Sequence, residues 1–449
     1  MEPRSRHGMT AGGGKGGVRW TILAMLFIVT VINYAVRAAL SLAAPSLTRD
    51  LGIDSLQLGV VFSAFGWSYV IAQIPGGWLL DRFGAVRVYL VAIVAWSLLT
   101  AAHASVIWMT GSLAVTMLFV LRFLVGIAEA PSFPGNVRLV AQWFPARERG
   151  TASALFNAAQ YFATVLFAPL LGWIVAAGGW EWSFVFMGIV GLVSAVGWIA
   201  LVHEPAHHPR LGEAERAMIA AGDALIDPAG TSGIKSGAET RRQLRVLLGT
   251  PTLWGLYLGQ FFINTLTYFF ITWFPVYLIQ ARGLSVVKAG LFATLPAICG
   301  FIGGVLGGVL SDWMLRRGFS LTVARKVPIV GGMLVALSIL GCNYTQSNAL
   351  ILALMSLAFF GKGVGALGWA VVSDVAPRDC AGLSGGIFNM FGNLSSILTP
   401  ILIGYVLKRT GSFDPVLAMV AGAALAAAFC FLFLVGRIHR LGEAAPAVA

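Results

Sequence analysis

Twelve apolar runs dominate the chain, and each is long enough to cross a lipid bilayer as a helix. A membrane-spanning helix needs about 20 predominantly apolar residues. Hydrophobic residues make up 58% of the 449 residues and charged residues 11%, whereas a soluble domain carries about 25% charged residues. We therefore expect an all-α polytopic membrane protein with twelve transmembrane helices. These runs, spans 1 to 12, lie at 20–45, 56–80, 86–106, 108–133, 149–176, 181–202, 252–279, 286–310, 326–345, 348–373, 381–406 and 413–436.

One long hydrophilic segment divides the spans into six and six. It begins with a charged, helix-like piece and continues as a Gly/Ser/Pro-rich linker. This division predicts two six-helix halves of one membrane domain. The expected parts are an N-terminal tail at 1–19, an N-terminal half at 20–202, a central loop at 203–250, a C-terminal half at 251–437 and a C-terminal tail at 438–449.

Lys and Arg are distributed unequally between the two sets of connections. The two tails and the even-numbered connections hold 22 of them, the odd-numbered connections hold five, and three lie within spans. Because cytoplasmic loops collect basic residues, both termini are predicted to be cytoplasmic, in a bacterial inner membrane. The same loops account for the net charge of +12, so nucleic-acid binding is excluded.

A short motif occurs once in each half, in equivalent connections. "GWLLDRFGAVR" (77–87) follows span 2, and "GVLSDWMLRRG" (308–318) follows span 8. Each has a glycine suited to close helix contact, then an aspartate that can pair with a nearby arginine or face a helix N-terminus. We expect this motif either to lock a closed state or to gate, without touching substrate. Its candidate residues are Gly77, Asp81, Arg82, Gly84, Arg87, Gly308, Asp312 and Arg316.

Four charged residues lie well inside the spans, away from their ends: Arg37 in span 1, Arg122 and Glu129 in span 4, and Lys362 in span 10. Such residues are costly in a membrane and persist where they face a polar cavity or one another. Three cations against one carboxylate predict an electropositive cavity between the halves, suited to an organic anion that Arg37 can hold bidentately. Glu129 is the natural candidate to bind and release a proton, although Arg122 and Glu129 can equally form a structural pair.

Polar residues also recur at helical spacing. Asn33, Tyr34, Arg37 and Ser41 form one stripe on span 1, because residues three or four apart share a helix face. Arg122 and Glu129 share a face, as do Lys362 and Trp369. Amides and hydroxyls suit a polyhydroxylated ligand, but each of them can instead make an interhelical hydrogen bond. Further polar residues inside spans are Tyr69, Asn157, Gln160, Tyr161, Asn264, Asn389 and Asn393.

Several stretches carry a family resemblance, among them "GIAEAPSFPGN" (126–136), "WFPARERGTASALFNAAQY" (143–161) and "AFFGKGVGALGW" (358–369). Over essentially its full length the chain resembles the anion:cation symporter family of the major facilitator superfamily. Within it, the chain is most similar to bacterial glucarate/galactarate proton symporters and more distantly to galactonate transporters. The resemblance implies proton-driven uptake of a sugar acid by alternating access. It also implies substrate contacts at Tyr34, Arg37, Tyr69, Gln160, Trp369 and Asn389, and a coupling glutamate at Glu129 beside Arg122.

One position departs from the family pattern N-Y-x-D-R. This chain reads "NYAVR" (33–37), so Val36 stands where the resemblance leads us to expect an aspartate. Without that acid we expect Arg37 to lose a competing intramolecular anion and Glu129 to be the one obvious titrating site. Substrate binding is then retained, while proton-driven accumulation is weakened or lost.

Lys362 favours a dicarboxylate as substrate, since one carboxylate can contact Arg37 and the other Lys362. The alternative is that the Lys362 side chain snorkels or pairs away from substrate.

The remaining candidate substrate residues are Asn264 and Asn393. Expected partners are the organic anion, protons and lipid, with the chain as a monomer and no cofactor.

Alternative interpretations are a galactonate- or hexuronate-type monoacid symporter, an organophosphate/phosphate antiporter, and a transporter-like sensor. An enzyme is disfavoured, because the loops contain no nucleophile–base pair or metal-ligand cluster. Cys299, Cys342, Cys380 and Cys430 show no metal-binding spacing, and disulfides are not expected.

Overall fold

The structure is a computed structural model that describes residues 17–221, 237–376 and 381–441. Within these ranges, twelve helical segments are long and apolar enough to cross a membrane, which confirms the predicted all-α polytopic fold. Their bounds are Val18–Leu51, Ser55–Phe83, Ala85–Trp108, Gly111–Trp143, Ala146–Gly178, Trp180–Leu201, Pro251–Gln280, Val286–Arg316, Leu321–Tyr344, Asn348–Val375, Ala381–Thr410 and Asp414–Leu434. These segments are spans 1 to 12 from here on.

Several spans change helix type or break along their length. Span 4 consists of Gly111–Glu129 and Ser132–Trp143, so its predicted end at residue 133 was too early. Pro131 keeps a helical φ of −69° at this break and begins the second piece, as proline is tolerated at a helix start. Span 7 contains a π-helical turn at Phe269–Trp273, a feature that often accompanies functional sites.

The two ends of the bundle differ in the connections they carry. Because successive spans run in opposite directions, residues 17 and 441, the described parts of the central segment and the even-numbered connections share one end of the bundle, called here the termini end. In the central segment the helix Glu213–Ala221 is attached to span 1: the Glu215 carboxylate accepts from the backbone N–H of Val18 and Arg19 and from the Arg19 guanidinium. Most of the predicted Gly/Ser/Pro-rich linker lies outside the described residues.

At the opposite end the two halves are in close contact through glycines. Span 2 packs against span 11 and span 5 against span 8. A Cβ added at Gly404 would overlap the carbonyl oxygen of Ser55, and one at Gly290 would overlap that of Ala168. Glycine is therefore required here by the close approach of two backbones.

Polar contacts join the halves at the same end. The Ser41 hydroxyl of span 1 donates to the carbonyl of Thr272 in span 7 at 2.6 Å. Lys408 forms an ion pair of 2.9 Å with Asp54, which also caps span 2. Partial burial acts to raise the pKa of Asp54, but hydrogen bonds from Lys408 and from the backbone N–H of Gln57 outweigh it and lower the pKa. The pair therefore persists at mildly acidic pH, although such an exposed pair adds about 1 kcal/mol at most.

We predict that Gly404→Ala opens the end of the bundle opposite the termini. The added Cβ cannot fit against the Ser55 backbone, so this arrangement of the halves loses stability relative to one in which spans 2 and 11 separate. Spin labels at the exposed residues Ser112 and Asn348 should report a longer distance in the variant. Gly422→Ala is the control, since a Cβ there meets nothing within 4 Å. An unchanged distance in Gly404→Ala contradicts the prediction.

Candidate functional site

A cavity of about 560 Å³ lies between the two halves, within the range of about 300–1,000 Å³ for small-molecule sites. It reaches Asp312 near the termini end of span 8, whereas the opposite end is closed by the contacts above. The lining brings together all nine candidate substrate residues: Tyr34, Arg37, Tyr69, Gln160, Asn264, Lys362, Trp369, Asn389 and Asn393. Residues of eight spans, namely spans 1, 2, 4, 5, 7, 8, 10 and 11, line the cavity, so residues far apart in sequence face one space.

Arg37 is held by Glu129 and Asn33 at the wall of the cavity. Its Nε and Nη2 donate to the same Glu129 oxygen, Oε2, at 3.2 and 3.0 Å, and Nη2 also donates to Asn33 Oδ1 at 3.0 Å. The Glu129 side chain is fully buried. Although Val36 offers Arg37 no carboxylate, span 4 supplies one, so Arg37 still has an intramolecular anion in this structure.

Aromatic rings also confine the Arg37 guanidinium. Its Cζ lies 4.2 Å from the ring centroid of Phe65, 4.7 Å from that of Tyr34 and 5.4 Å from that of Tyr69. Cation–π attraction favours such positions, and the rings restrict the rotamers of Arg37. Phe65 was missed by the sequence analysis, although it precedes Tyr69 by one helical turn and shares its face.

The alternative of a structural ion pair between Arg122 and Glu129 is not formed in this conformation, because Glu129 pairs with Arg37. Arg122 is buried and donates from Nη2 to the backbone oxygen of Val36 at a long 3.4 Å. Within the described chain, no carboxylate lies at ion-pair distance from it. The physical reason is spacing, because seven residues along a helix separate the Cα atoms of Arg122 and Glu129 by about 10 Å. The Arg37 guanidinium of span 1 instead lies within hydrogen-bond distance of Glu129.

Lys362 is the second cation in the cavity wall and comes from the C-terminal half. Its Nζ lies 5.2 Å from the ring centroid of Phe359 and 5.8 Å from that of Tyr161. Among the residues the structure describes, no carboxylate lies within 4 Å of this ammonium group. A buried ammonium group without an anion favours binding of an external one.

A chain of hydrogen bonds runs along one wall and joins the halves. Tyr268 donates to Asn393 Oδ1 at 3.0 Å, Asn393 to Asn389 Oδ1 at 3.1 Å, and Asn389 to Gln73 Oε1 at 3.3 Å. Each amide orientation is thereby set by its neighbour. Tyr268 and Gln73 were missed, but spacing could have found them: Tyr268 lies four residues after Asn264, and Gln73 four after Tyr69.

Gln260 adds a further amide to this cavity, since it lines the wall and donates to Asn264 Oδ1 at 3.1 Å. The site as a whole thus combines two cations with amides and phenols. Such a lining can hold an anion that also carries hydroxyl groups.

The two loop motifs differ from expectation in their glycines. A Cβ at Gly77 or Gly308 meets nothing within 4 Å, so close helix contact is not made there in this conformation. Gly84 and the glycine that ends the second motif, Gly318, instead have positive φ values of +85° and +86°, where glycine is favoured. Asp312 makes a long ion pair of 3.7 Å with Arg325.

The other described arginines of the motifs lie at the surface. Arg82 lies over the Trp78 ring at 5.3 Å. Arg87 and Arg316 are exposed, and the Asp81 side chain lies outside the described part of the structure.

The fold and the inter-half cavity define a polytopic transporter. The model of the Major Facilitator Superfamily matches residues 26–400, and the chain belongs to that superfamily. It is 55% identical to probable galactarate/D-glucarate transporters of Bacillus subtilis (96% of this chain, 95% of that protein) and of Escherichia coli K12 (94% of each). The D-galactonate transporter of Escherichia coli O6:H1 is 39% identical (95% and 98%). Among solved structures, a D-xylose–proton symporter superposes with a TM-score of 0.70 at 17% identity, covering 93% and 98%.

We predict that Arg37→Gln destabilises the ligand-free protein more than the double variant Arg37→Gln/Glu129→Gln. Removing one partner of a buried ion pair costs about 3–5 kcal/mol, because the other charge is left unpaired, whereas removing both charges is nearly neutral. Thermal unfolding in detergent should show a low midpoint for Arg37→Gln and recovery in the double variant. The single variant Glu129→Gln completes the comparison. If the drop in thermal midpoint of the double variant equals the sum of the drops in the two single variants, the ion pair does not stabilise the fold.

Proposed function

We propose that the protein imports a sugar acid of the D-glucarate/D-galactarate type together with protons by alternating access. The observation that carries this proposal is the cavity between the halves, which contains Arg37 from one half and Lys362 from the other among amide and phenol groups. The names of the relatives support the same substrate class. We further propose that a single chain suffices, since its two halves bound the cavity.

A dicarboxylate fits the distribution of cations better than a monocarboxylate. Lys362 has no carboxylate partner among the described residues, while Arg37 faces the cavity from the opposite half with one partner. One carboxylate of an aldarate would meet Lys362 and the other Arg37. The hydroxyls between them would meet the amides of Gln160, Asn264 and Asn389.

Glu129 supplies the proposed link between proton and substrate. Both Arg37 hydrogen bonds to Glu129 end on one carboxylate oxygen, so a substrate carboxylate competes with Glu129 for the same guanidinium. When Glu129 takes up a proton it ceases to be an anionic competitor, and Arg37 is released for substrate. Proton and anion therefore favour each other's binding, which is the thermodynamic requirement for symport.

We place the termini end in the cytoplasm of a bacterial inner membrane. The excess of Lys and Arg at that end supports this orientation. The cavity then faces inward, and the glycine contacts at the opposite end close the periplasmic side. Uptake requires a second arrangement in which spans 2 and 11 and spans 5 and 8 separate at that end.

The experiment that tests the function is uptake of labelled acids into proteoliposomes, with and without an inward proton gradient. Glucarate, galactarate, galactonate and a sugar phosphate are compared in one panel. Gradient-driven accumulation of the two aldarates above the others supports the proposal. Preference for galactonate indicates a monoacid symporter, and exchange of sugar phosphate for phosphate indicates an antiporter. Binding without any movement of substrate indicates a sensor.

We predict that Lys362→Gln weakens glucarate binding by about tenfold or more and galactonate binding much less. The loss follows from the about 1.5–3 kcal/mol of a charge-assisted hydrogen bond, which only the second carboxylate of a diacid makes at Lys362. Isothermal titration of both ligands against the purified protein measures the ratio. Lys288→Gln removes an exposed lysine and controls for loss of charge. An equal loss for both ligands assigns Lys362 no role in recognising the second carboxylate.

We predict that Val36→Asp increases accumulation driven by a pH gradient while counterflow without a gradient changes little. Glu129 is the one fully buried carboxylate that the structure describes within the spans, and a second acid beside Arg37 and Arg122 adds a titrating group. Uptake of labelled glucarate at several imposed pH gradients makes the comparison, with Val36→Asn as the uncharged control. If the unmodified protein already accumulates as much glucarate as Val36→Asp at the same pH gradient, the expected loss of coupling is contradicted.

A further inference from the structure

The contact between spans 2 and 11, called here the seam, continues from the closed end of the bundle to the cavity. On span 2 it runs along Gly59, Gly66 and Gln73, which are seven residues apart and so share one helix face. A Cβ at Gly59 or Gly66 would overlap atoms of span 11, at Gly66 the hydroxyl oxygen of Ser396. Gln73 instead reaches span 11 through its side chain, which accepts a hydrogen bond from Asn389. Side-chain contact therefore replaces backbone contact as the two spans diverge.

The two spans separate beyond this hydrogen bond. Gly77 of span 2 and Gly386 of span 11 lie next toward the termini end, and in the described part of the structure a Cβ at either of them meets nothing within 4 Å. Gln73 and Asn389 are thus the pair at which the seam opens onto the cavity. Asn389 lines the cavity wall, whereas Gln73 lies behind it, outside the lining.

One contact fixes the direction of the hydrogen-bond chain in this wall. Asn393 Nδ2 lies 2.9 Å from the backbone carbonyl oxygen of Asn389, and a carbonyl can only accept. That end of the Asn393 amide is therefore nitrogen, and its Oδ1 accepts from the Tyr268 hydroxyl at 3.0 Å. The same nitrogen donates to Asn389 Oδ1 at 3.1 Å. The Asn389 amide consequently turns its nitrogen toward Gln73, which accepts with Oε1 at 3.3 Å.

The direction of the chain determines what this wall offers to a ligand. The Asn389 amide nitrogen carries two hydrogens, and one of them is given to Gln73. Since Asn389 lines the cavity, the second can donate to a ligand oxygen. Tyr268 uses its hydrogen on Asn393, so its oxygen can still accept from a ligand. A hydroxyl group suits either position because it both donates and accepts, whereas a carboxylate can only accept.

We propose that Gln73 is a positioning residue for the recognition of substrate hydroxyls, because its side-chain oxygen holds the Asn389 amide with one N–H free to donate to the sugar-acid chain. This inference rests on the proposed function and adds a residue that lies outside the cavity. The glycines of the seam hold spans 2 and 11 together, so the donor at Asn389 is oriented before the ligand arrives. Without the Gln73 acceptor the Asn389 side chain can rotate. Hydroxyl recognition is then weakened, while the proposed carboxylate contacts at Arg37 and Lys362 remain.

Binding of two six-carbon dicarboxylates tests this role. Glucarate carries a hydroxyl on every carbon between its carboxylates and adipate carries none, so the ratio of their Kd values isolates hydroxyl recognition. Both are measured by displacement of labelled glucarate from the purified full chain. Gln73→Met keeps the length of the side chain and removes the acceptor. We expect it to raise the Kd of glucarate about fivefold, as for the loss of one neutral hydrogen bond, and to leave the Kd of adipate unchanged.

A double-mutant cycle tests whether Gln73 acts through Asn389. In the Asn389→Ala background, Gln73→Met should have no further effect on the Kd of glucarate. Gln73→Asn stays polar but is one methylene too short to reach Asn389, so we expect the same selective loss, and this variant decides the matter if Gln73→Met does not fold. Gln346→Met is the matched control, since this exposed glutamine accepts from Arg282 at the opposite end of the bundle. Both Kd values should be unchanged in it.

The outcomes separate this inference from the proposed function. An equal rise in the Kd of both acids in Gln73→Met overturns the inference and leaves Gln73 a packing role in the seam. A loss for glucarate that persists in the Asn389→Ala background overturns the action through Asn389. Glucarate binding that Gln73→Met weakens no more than Gln346→Met does overturns this inference alone. An unmodified protein that binds neither acid contradicts the proposed function, and this inference with it.

Discussion

The ion pair between Arg37 and Glu129 is the contact on which the organisation of the site depends. It joins span 1 to span 4 across 92 residues of sequence and neutralises a carboxylate that is fully buried. A membrane interior penalises either charge alone, so the two side chains stabilise each other's position. The same guanidinium also faces the cavity. Under the proposed function, structural stability and substrate binding would compete for this one group.

The closure of the bundle at one end follows from backbone contact rather than from specific side chains. At Gly404 and Gly290 the helices of opposite halves approach until no Cβ fits. Lipid-facing helices gain little from hydrophobic burial, so dispersion contacts between close backbones contribute most of their association. Such contacts are short-ranged and are lost together when the helices separate. That property suits an interface that opens and closes in one step.

Much of the candidate site could be predicted from the sequence because polar residues are conspicuous in apolar spans. The helical period placed Tyr34 and Arg37 on one face, and all nine candidates line one cavity in the structure. The pairing of Glu129 could not be predicted, since it depends on how spans 1 and 4 lie beside each other. Phe65 carried no polar signal within an apolar run, although it touches Arg37.

Charge balance explains why Val36 matters beyond its own position. Among the described residues beside the cavity in the N-terminal half, Arg122 and Glu129 are buried, Arg37 is partly buried, and Glu129 is already bound to Arg37. Arg122 is left with a weak contact to the Val36 backbone, so this group of described residues carries a net positive charge. That charge strengthens the positive potential which Lys362 contributes from the other half. An anion in the cavity would gain electrostatically from this charge, and an aspartate at residue 36 would offset it, which is why Val36→Asp is the informative variant at this position.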